Sequence, residues 1–217
     1  MSKLARRIAC VYALLFTLLV WGSWALLVNT REGQFIDDAA FKGSYWGAAR
    51  IDDQARALLN AVSVPLIVVA IIATLAIALL RRRPRAALWA TAVVVGTNVT
   101  IQALKHFVFT RPDWGYSQRV DAANTLPSGH TGVAASIAVA LLLVVPPAWR
   151  VIAAWVGAGF TFFMGWSTLV CQWHRPSDII AAAAVAFTWG FVALAAGAWG
   201  RSEEHTSELQ SLRRISY

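Results

Sequence analysis

Pro-Ser-Gly-His-Thr at residues 127–131 is a polar stretch that stands directly before an apolar run at residues 132–145. A helix of this run is predicted to begin at about Ser128, because a serine hydroxyl suits the N-cap position. Gly129 lets the backbone approach a ligand closely, and the free N–H groups of a first helical turn favour an anion. His130 lies in that turn and can exchange a proton with a bound anion. The stretch therefore predicts an anion site at a helix start; a capped helix with a surface histidine is the alternative.

The composition indicates an integral membrane protein. Of the 217 residues, 58% are apolar, and several apolar runs reach the length that crosses a bilayer. The net charge of +8 comes from basic residues that cluster at the ends of these runs. Because no basic face or aromatic platform stands outside the runs, nucleic-acid binding is not expected. Membrane lipids are the expected surroundings, and the sequence indicates no oligomeric state.

Six apolar segments are predicted to cross the membrane as helices, at residues 8–28, 61–80, 86–104, 131–146, 149–171 and 177–199. The predicted fold class is therefore all-α, an integral membrane bundle of six transmembrane helices. We expect a single domain over residues 1–200. A short interfacial helix is predicted at residues 48–59, between the first two segments.

Basic residues set the predicted orientation, since cytoplasmic connections are enriched in lysine and arginine. They precede the first segment and fill the connections after the second and fourth: Lys3, Arg6, Arg7, Arg81, Arg82, Arg83, Arg85 and Arg150. If every segment crosses, this side is cytoplasmic and holds both termini. The connections at residues 29–60, 105–130 and 172–176 then lie outside. We expect a multi-pass protein of the cell (inner or plasma) membrane with an extracytoplasmic site.

Polar residues near the outer segment ends form an ordered set. In chain order they are Lys105, Arg111-Pro112, Pro127-Ser128-Gly129-His130, Ser167 and His174-x-x-x-Asp178. This set resembles the motifs of the type 2 phosphatidic acid phosphatase (PAP2) family, whose active-site pattern is shared with vanadium haloperoxidases. The motifs cover about residues 100–180, and the helix layout covers about residues 8–199. The resemblance implies a PAP2/haloperoxidase-like helical bundle that acts on lipid phosphates.

Removal of a phosphoryl group needs positive charge on its oxygens, an in-line nucleophile and an acid for the leaving oxygen. Lys105 and Arg111 are predicted to supply the charge; the alternative is that both extend to the lipid head groups. The predicted substrate-binding residues are Lys105, Arg111, Ser128, Gly129 and Ser167.

His174 is the predicted nucleophile, because a neutral imidazole can attack phosphorus and form a phosphohistidine. Asp178, four residues later, can orient it; the alternative is an acid that only complements a helix dipole. His130 is the predicted general acid. The resemblance assigns the same catalytic roles to these three residues. His106 is expected to be interfacial, and no cofactor or metal site is predicted because no suitable ligand cluster is present.

Two departures separate this chain from the family motifs. Five residues stand between Lys105 and Arg111, where the family has six, and one residue turns a helix by about 100°. The family's third motif begins Ser-Arg, whereas Thr168 stands at the place of that arginine. One phosphate-binding arginine is therefore missing. Arg175 and Arg119 are candidate replacements, although neither holds the family position.

The tail at residues 201–217 begins Arg-Ser-Glu-Glu-His-Thr-Ser-Glu-Leu-Gln-Ser, which matches the translation of a common sequencing-adapter oligonucleotide. We expect this tail to be non-native; a natural polar cytoplasmic tail is the alternative. The two cysteines, Cys10 and Cys171, are predicted to lie at opposite membrane faces, where no disulfide can join them.

These features predict a phosphatase that hydrolyses a lipid phosphate or pyrophosphate at the extracytoplasmic membrane face through a phosphohistidine intermediate. Polyprenyl diphosphate, phosphatidic acid and phosphatidylglycerol phosphate types all satisfy the description. The alternative is a catalytically impaired lipid-phosphate-binding or structural membrane protein of the same fold, which the missing arginine would favour. A transporter is disfavoured, because the polar groups lie at segment ends rather than at mid-membrane.

Overall fold

The structure is a computed structural model, and it describes residues 2–44, 53, 57, 64–116 and 124–199. All regular elements of these residues are helical, which confirms the predicted all-α class. The α-helices are α1 Lys3–Gly22, α2 Arg31–Gly43, α3 Val64–Leu80, α4 Pro84–Ala103, α5 Gly129–Val144, α6 Arg150–Val170 and α7 Pro176–Ala195. Ser23–Val28 after α1 and Leu104–Val108 after α4 are π-helical turns, and Pro147–Trp149 before α6 is a 3₁₀ turn.

Four helical stretches of the described chain are long and apolar enough to cross a membrane: Lys3–Val28, Pro84–Val108, Pro147–Val170 and Pro176–Ala195. α5 is apolar but has only 16 residues, and α3 has 17. Helices thus occupy all six predicted segments, while the count of six crossing helices stays a prediction. The interfacial helix predicted at 48–59 and the tail at 201–217 lie outside the described residues, apart from two helical positions at 53 and 57.

α5 lies at the centre of the bundle, where it contacts α3, α4, α6 and α7. Ten of its 16 residues are buried, so it is shielded from lipid and needs less length than an isolated span. Small residues allow close packing around it. A Cβ added at Gly157 of α6 would lie 2.7 Å from the Cβ of Ala138 on α5. At the other end of α6, a Cβ at Gly165 would lie 2.6 Å from Cγ2 of Ile179 on α7.

α2 covers the end of the bundle at which α5 and α7 begin. Gln34 of α2 donates from Nε2 to the carbonyls of Val28 and Pro112, both at 2.7 Å. At the other end of α2, Ser44 donates from Oγ to the carbonyl of Leu169 at 3.1 Å. Buried polar side chains, Gln34 among them, form its inner face. The sequence had indicated only a connection here, so this helix is an addition to the prediction.

Candidate active site

The start of α5 is built around Ser128, which is the N-cap as predicted. Its Oγ accepts hydrogen bonds from N and Oγ1 of Thr131, at 3.3 and 3.1 Å. Its N–H donates to the carbonyl of Asp178 at 2.9 Å, which joins the first turns of α5 and α7. A Cβ added at Gly129 would meet its nearest atom only at 4.0 Å, so the backbone there borders open space. The first turns of α5 and α7 thus lie side by side.

His174 lies in the turn between α6 and α7 with its ring held by Asp178. Nδ1 of His174 is 3.2 Å from Oδ2 of Asp178, and the same oxygen accepts from the N–H of Arg175 at 3.0 Å. The N–H groups of Trp173 and His174 both donate to the carbonyl of Thr168, which fixes the turn. Asp178 is fully buried, whereas the side chain of His174 is 11% exposed. Because the carboxylate engages Nδ1, Nε2 is the ring nitrogen left to act on a substrate.

Arg111 brings a buried guanidinium to the same carboxylate. Its NH2 lies 3.8 Å from Oδ1 of Asp178 and 3.7 Å from Oδ2 of Asp37. Within the described residues, neither Nε nor NH2 of Arg111 donates a hydrogen bond to protein. Burial lowers the pKa of Arg111, and the negative charge of Asp178 acts in the opposite sense. A buried guanidinium that two carboxylates hold only at these longer distances keeps donors for the oxygens of a phosphoryl group.

Asp37 links α2 to the start of α7. Its Oδ1 accepts from the N–H of Ser177 at 2.9 Å, and its Oδ2 accepts from the Ser177 hydroxyl at 2.6 Å. Burial raises the pKa of Asp37, while these two hydrogen bonds lower it. The prediction from sequence missed this residue. Its signal was an Asp-Asp pair in the connection between the first two predicted segments.

Arg175 places a second buried guanidinium on the same side. Its NH2 lies 3.4 Å from Oδ1 of Asp38, and its guanidinium carbon lies 5.1 Å from the ring centroid of Phe41. Asp38 also pairs with Lys42 at 2.8 Å. Arg175 is 2% exposed and interacts electrostatically with Arg111. The adjacent carboxylates of Asp37 and Asp38 thus each hold one of the two arginines.

Lys105 and Arg111 both reach the site in spite of the shortened spacing. Each interacts electrostatically with Asp178. Lys105 lies in the π-helical turn Leu104–Val108, and such a turn alters the rotation expected of a regular α-helix. Arg119, the other candidate replacement for the missing arginine, lies outside the described residues.

His130 lies in the first turn of α5. Its half-buried ring lies 5.4 Å, centroid to centroid, from that of Trp173. It interacts electrostatically with His174 and Lys105. His106, by contrast, is exposed and bonds to Gln102 through Nε2 at 3.1 Å, which agrees with the predicted interfacial position.

Comparison with known proteins identifies the family. The sequence model of the PAP2 superfamily matches residues 86–201. The chain belongs to the PAP2 superfamily. Its fold is similar to the crystal structure of a transmembrane PAP2-type phosphatidylglycerolphosphate phosphatase from Bacillus subtilis, with a TM-score of 0.63. The match covers 86% of this chain and 94% of that one at 17% sequence identity, so it shows the fold. Comparison with curated protein sequences gave no match.

The hydroxyls of Ser167 and Thr168 in this PAP2 chain bond to backbone carbonyls of their own helix, α6. Ser167 donates from Oγ to the carbonyl of Phe163 at 2.7 Å, so its proton is not directed to the pocket. Thr168 donates from Oγ1 to the carbonyl of Gly165 at 2.7 Å and is fully buried. Thr168 therefore supplies neither charge nor a side-chain donor at the place of the family's arginine. Its carbonyl nevertheless fixes the turn that carries His174.

Proposed function

We propose that this PAP2 protein is a phosphatase that hydrolyses a lipid phosphate or pyrophosphate through a phosphohistidine intermediate. The observation that carries the proposal is the pair His174–Asp178, with the buried guanidinium of Arg111 beside it. A histidine held through Nδ1 next to a buried guanidinium suits nucleophilic attack on a phosphoryl group.

In the first step, the lone pair on Nε2 of His174 attacks phosphorus in line with the lipid oxygen. The N–P bond forms as the P–O bond breaks, and His130 gives its proton to the departing oxygen. The carboxylate of Asp178 holds the proton on Nδ1 and stabilises the positive ring. In the second step, His130 takes a proton from a water molecule as that water attacks phosphorus. The N–P bond breaks, which releases phosphate and restores His174.

The phosphoryl oxygens gain negative charge in both steps, and cationic groups stabilise that charge. We assign Arg111 and Lys105 to these oxygens, together with the N–H groups at the start of α5 after Ser128. Gly129 permits close approach of the backbone there. Ser167 remains a predicted contact, one that needs its hydroxyl to turn away from α6.

We further propose that Arg175 replaces the arginine that Thr168 lacks. Arg175 follows the nucleophile directly in sequence, and its guanidinium is buried within electrostatic range of Arg111. Asp38 holds it there, as Asp37 holds Arg111. A second fixed guanidinium favours turnover over the alternative, an impaired lipid-phosphate-binding or structural protein.

Turnover by purified protein tests the proposal. Phosphate release should be measured in detergent with phosphatidic acid, phosphatidylglycerol phosphate and a polyprenyl diphosphate. His174→Ala should abolish release and any acid-labile phosphoprotein formed from labelled substrate. The matched control is His106→Ala, since this exposed histidine bonds only to Gln102 among the described residues and should leave the rate unchanged. Near-normal turnover by His174→Ala would exclude the mechanism, and binding without turnover by the wild type would support the impaired protein.

A further inference from the structure

Asn124 joins the end of α4 to the residues that precede α5. Its Nδ2 lies 3.2 Å from the carbonyl oxygen of Lys105, 3.0 Å from that of Phe109 and 3.1 Å from that of Leu126. At the other end of the amide, Oδ1 accepts from the N–H of Leu126 at 3.2 Å. One side chain therefore ties the residues before the N-cap Ser128 to a turn that lies 15 to 19 residues earlier in the chain.

The carbonyls that Asn124 binds are those that the end of a helix leaves open, since the last carbonyls of a helix have no donor within it. The carbonyl of Leu104 accepts from the N–H of Phe109 at 2.8 Å, which closes the π-helical turn. The carbonyl of Lys105 comes next along the chain and takes its donor from Asn124. Asn124 thus caps the C-terminal end of α4 from a remote position in the sequence.

The ammonium of Lys105 depends on its backbone for its position. Among the described residues, it forms no hydrogen bond or ion pair with another side chain, and it interacts electrostatically with Asp178. Arg111, by contrast, has Asp37 as a side-chain partner, and the ring of His174 has Asp178. A lysine is a point charge on a flexible stem, so its ammonium is fixed only as well as the backbone that carries it.

The residues that follow Lys105 are anchored independently of Asn124. Trp24 donates from Nε1 to the carbonyl of Thr110 at 2.9 Å, and its ring stacks on that of Phe109 with centroids 5.3 Å apart. Phe109 is buried in the same apolar cluster. Loss of the Asn124 amide should therefore release the turn that carries Lys105 without unfolding this end of the bundle.

We propose that Asn124 is a positioning residue for the phosphatase reaction, which holds the backbone of Lys105 at a fixed distance from the first turn of α5. The inference rests on the proposed function, in which Lys105 and the N–H groups after Ser128 bind the same phosphoryl group. Asn124 touches no substrate and acts through the lysine. Misplacement of a substrate-binding group by about 1 Å can slow an enzyme by about 10²-fold, which sets the scale of the expected effect.

A double-mutant cycle between Asn124 and Lys105 tests this role. Of phosphatidic acid, phosphatidylglycerol phosphate and a polyprenyl diphosphate, the lipid that the wild type hydrolyses fastest is the substrate. Asn124→Ala should lower its kcat/KM by about 10²-fold. In a Lys105→Ala background the same change should cost no more than about twofold, since no ammonium is left to position. Asn98→Ala is the matched control, because the Asn98 amide bonds to the carbonyl of Val94 in its own helix and should leave the rate unchanged.

Asn124→Asp separates hydrogen bonding from shape. It keeps the size of the side chain and the oxygen that accepts from Leu126, but it replaces the NH₂ donor by an acceptor. It should be impaired at least as much as Asn124→Ala. Melting temperatures in detergent confirm that each variant is folded, and Asn124→Ser repeats the cycle with a milder truncation. Losses that multiply in the double variant with Lys105→Ala, or wild-type rates for Asn124→Asp, would overturn the proposal.

Binding of inorganic phosphate gives a readout that does not depend on turnover. Lys105→Ala and Asn124→Ala should each raise the Kd from calorimetry by at least about tenfold, since both take a charged hydrogen-bond donor from the phosphate. The double variant should raise the Kd no further, and increases that multiply would overturn the proposal. If the wild type binds phosphate and the variants follow this pattern, but no lipid phosphate is hydrolysed, the phosphatase function fails while the role of Asn124 stands.

Discussion

At the scale of single residues, His130 is the group whose role is most directly tested by substrate chemistry. A general acid matters in proportion to the basicity of the leaving oxygen. His130→Ala should therefore slow hydrolysis of a lipid phosphate by about 10²–10⁴-fold. The defect should shrink for nitrophenyl phosphate, because nitrophenolate departs with little protonation. The measurement is kcat for both substrates; equal defects would assign His130 to binding rather than to acid catalysis.

Arg175 offers a second test at this scale, since we propose that it replaces the missing arginine. Arg175→Ala should lower turnover by about 10²–10³-fold, as expected when one fixed donor to a developing charge is lost. Arg175→Lys should fall between this variant and wild type, because lysine keeps the charge but not the planar fork. The control is Arg82→Ala, an exposed residue on the turn between α3 and α4. Wild-type rates for Arg175→Ala would show that Lys105 and Arg111 suffice.

At the scale of elements, the sequence predicted the helix starts better than the contacts between them. Ser128 and Pro176 mark the starts of α5 and α7 by their own chemistry, an N-cap hydroxyl and a first-turn proline. His174 and Asp178 are four residues apart, so a helical turn already implied their contact. These features are local, and local features can be read from one sequence.

α2 was missed because its contribution is not local. Its buried face holds polar side chains whose partners are far away in sequence: Ser177 is 140 residues from Asp37, and Arg175 is 137 residues from Asp38. The apolar side chains of Phe35 and Ile36 are exposed, so the pattern of apolar residues did not indicate which face of this segment is buried. The effect of the shorter spacing between Lys105 and Arg111 could not be predicted for a related reason, since a π-helical turn cannot be inferred from residue spacing alone.

The link between α2 and α7 can be tested at Asp37. Removing this carboxylate leaves the N–H and hydroxyl of Ser177 without their acceptor and takes a counter-charge from Arg111. Asp37→Ala should therefore cost about 3–5 kcal/mol of stability, the usual effect of breaking a buried charged contact. The melting temperature in detergent should fall accordingly, and activity should fall with it. Glu32→Gln, an exposed change on the same helix, is the control and should alter neither.

At the scale of the whole molecule, the basic residues that predict the orientation by the positive-inside rule also contact helix ends. Arg81 donates to the carbonyl of Val144 at the end of α5, and Arg85 donates to that of Ala196 after α7, where a helix C-terminus favours a cation. Basic residues that bind helix C-termini would occupy these positions in either orientation of the protein in the membrane. The cytoplasmic termini, the extracytoplasmic site and the non-native tail at 201–217 accordingly stay predictions.

Labelling of intact cells decides the orientation. Glu32→Cys lies on the exposed face of α2 at the active-site end, and Arg82→Cys lies at the opposite end; both are exposed. The background is Cys10→Ala, because Cys10 is exposed and Cys171 is buried. With the site outside, an impermeant maleimide should label Glu32→Cys on intact cells and Arg82→Cys only after lysis. The reverse pattern would put the candidate active site at the inner leaflet, where the lipid phosphate would have to be presented from the cytoplasm.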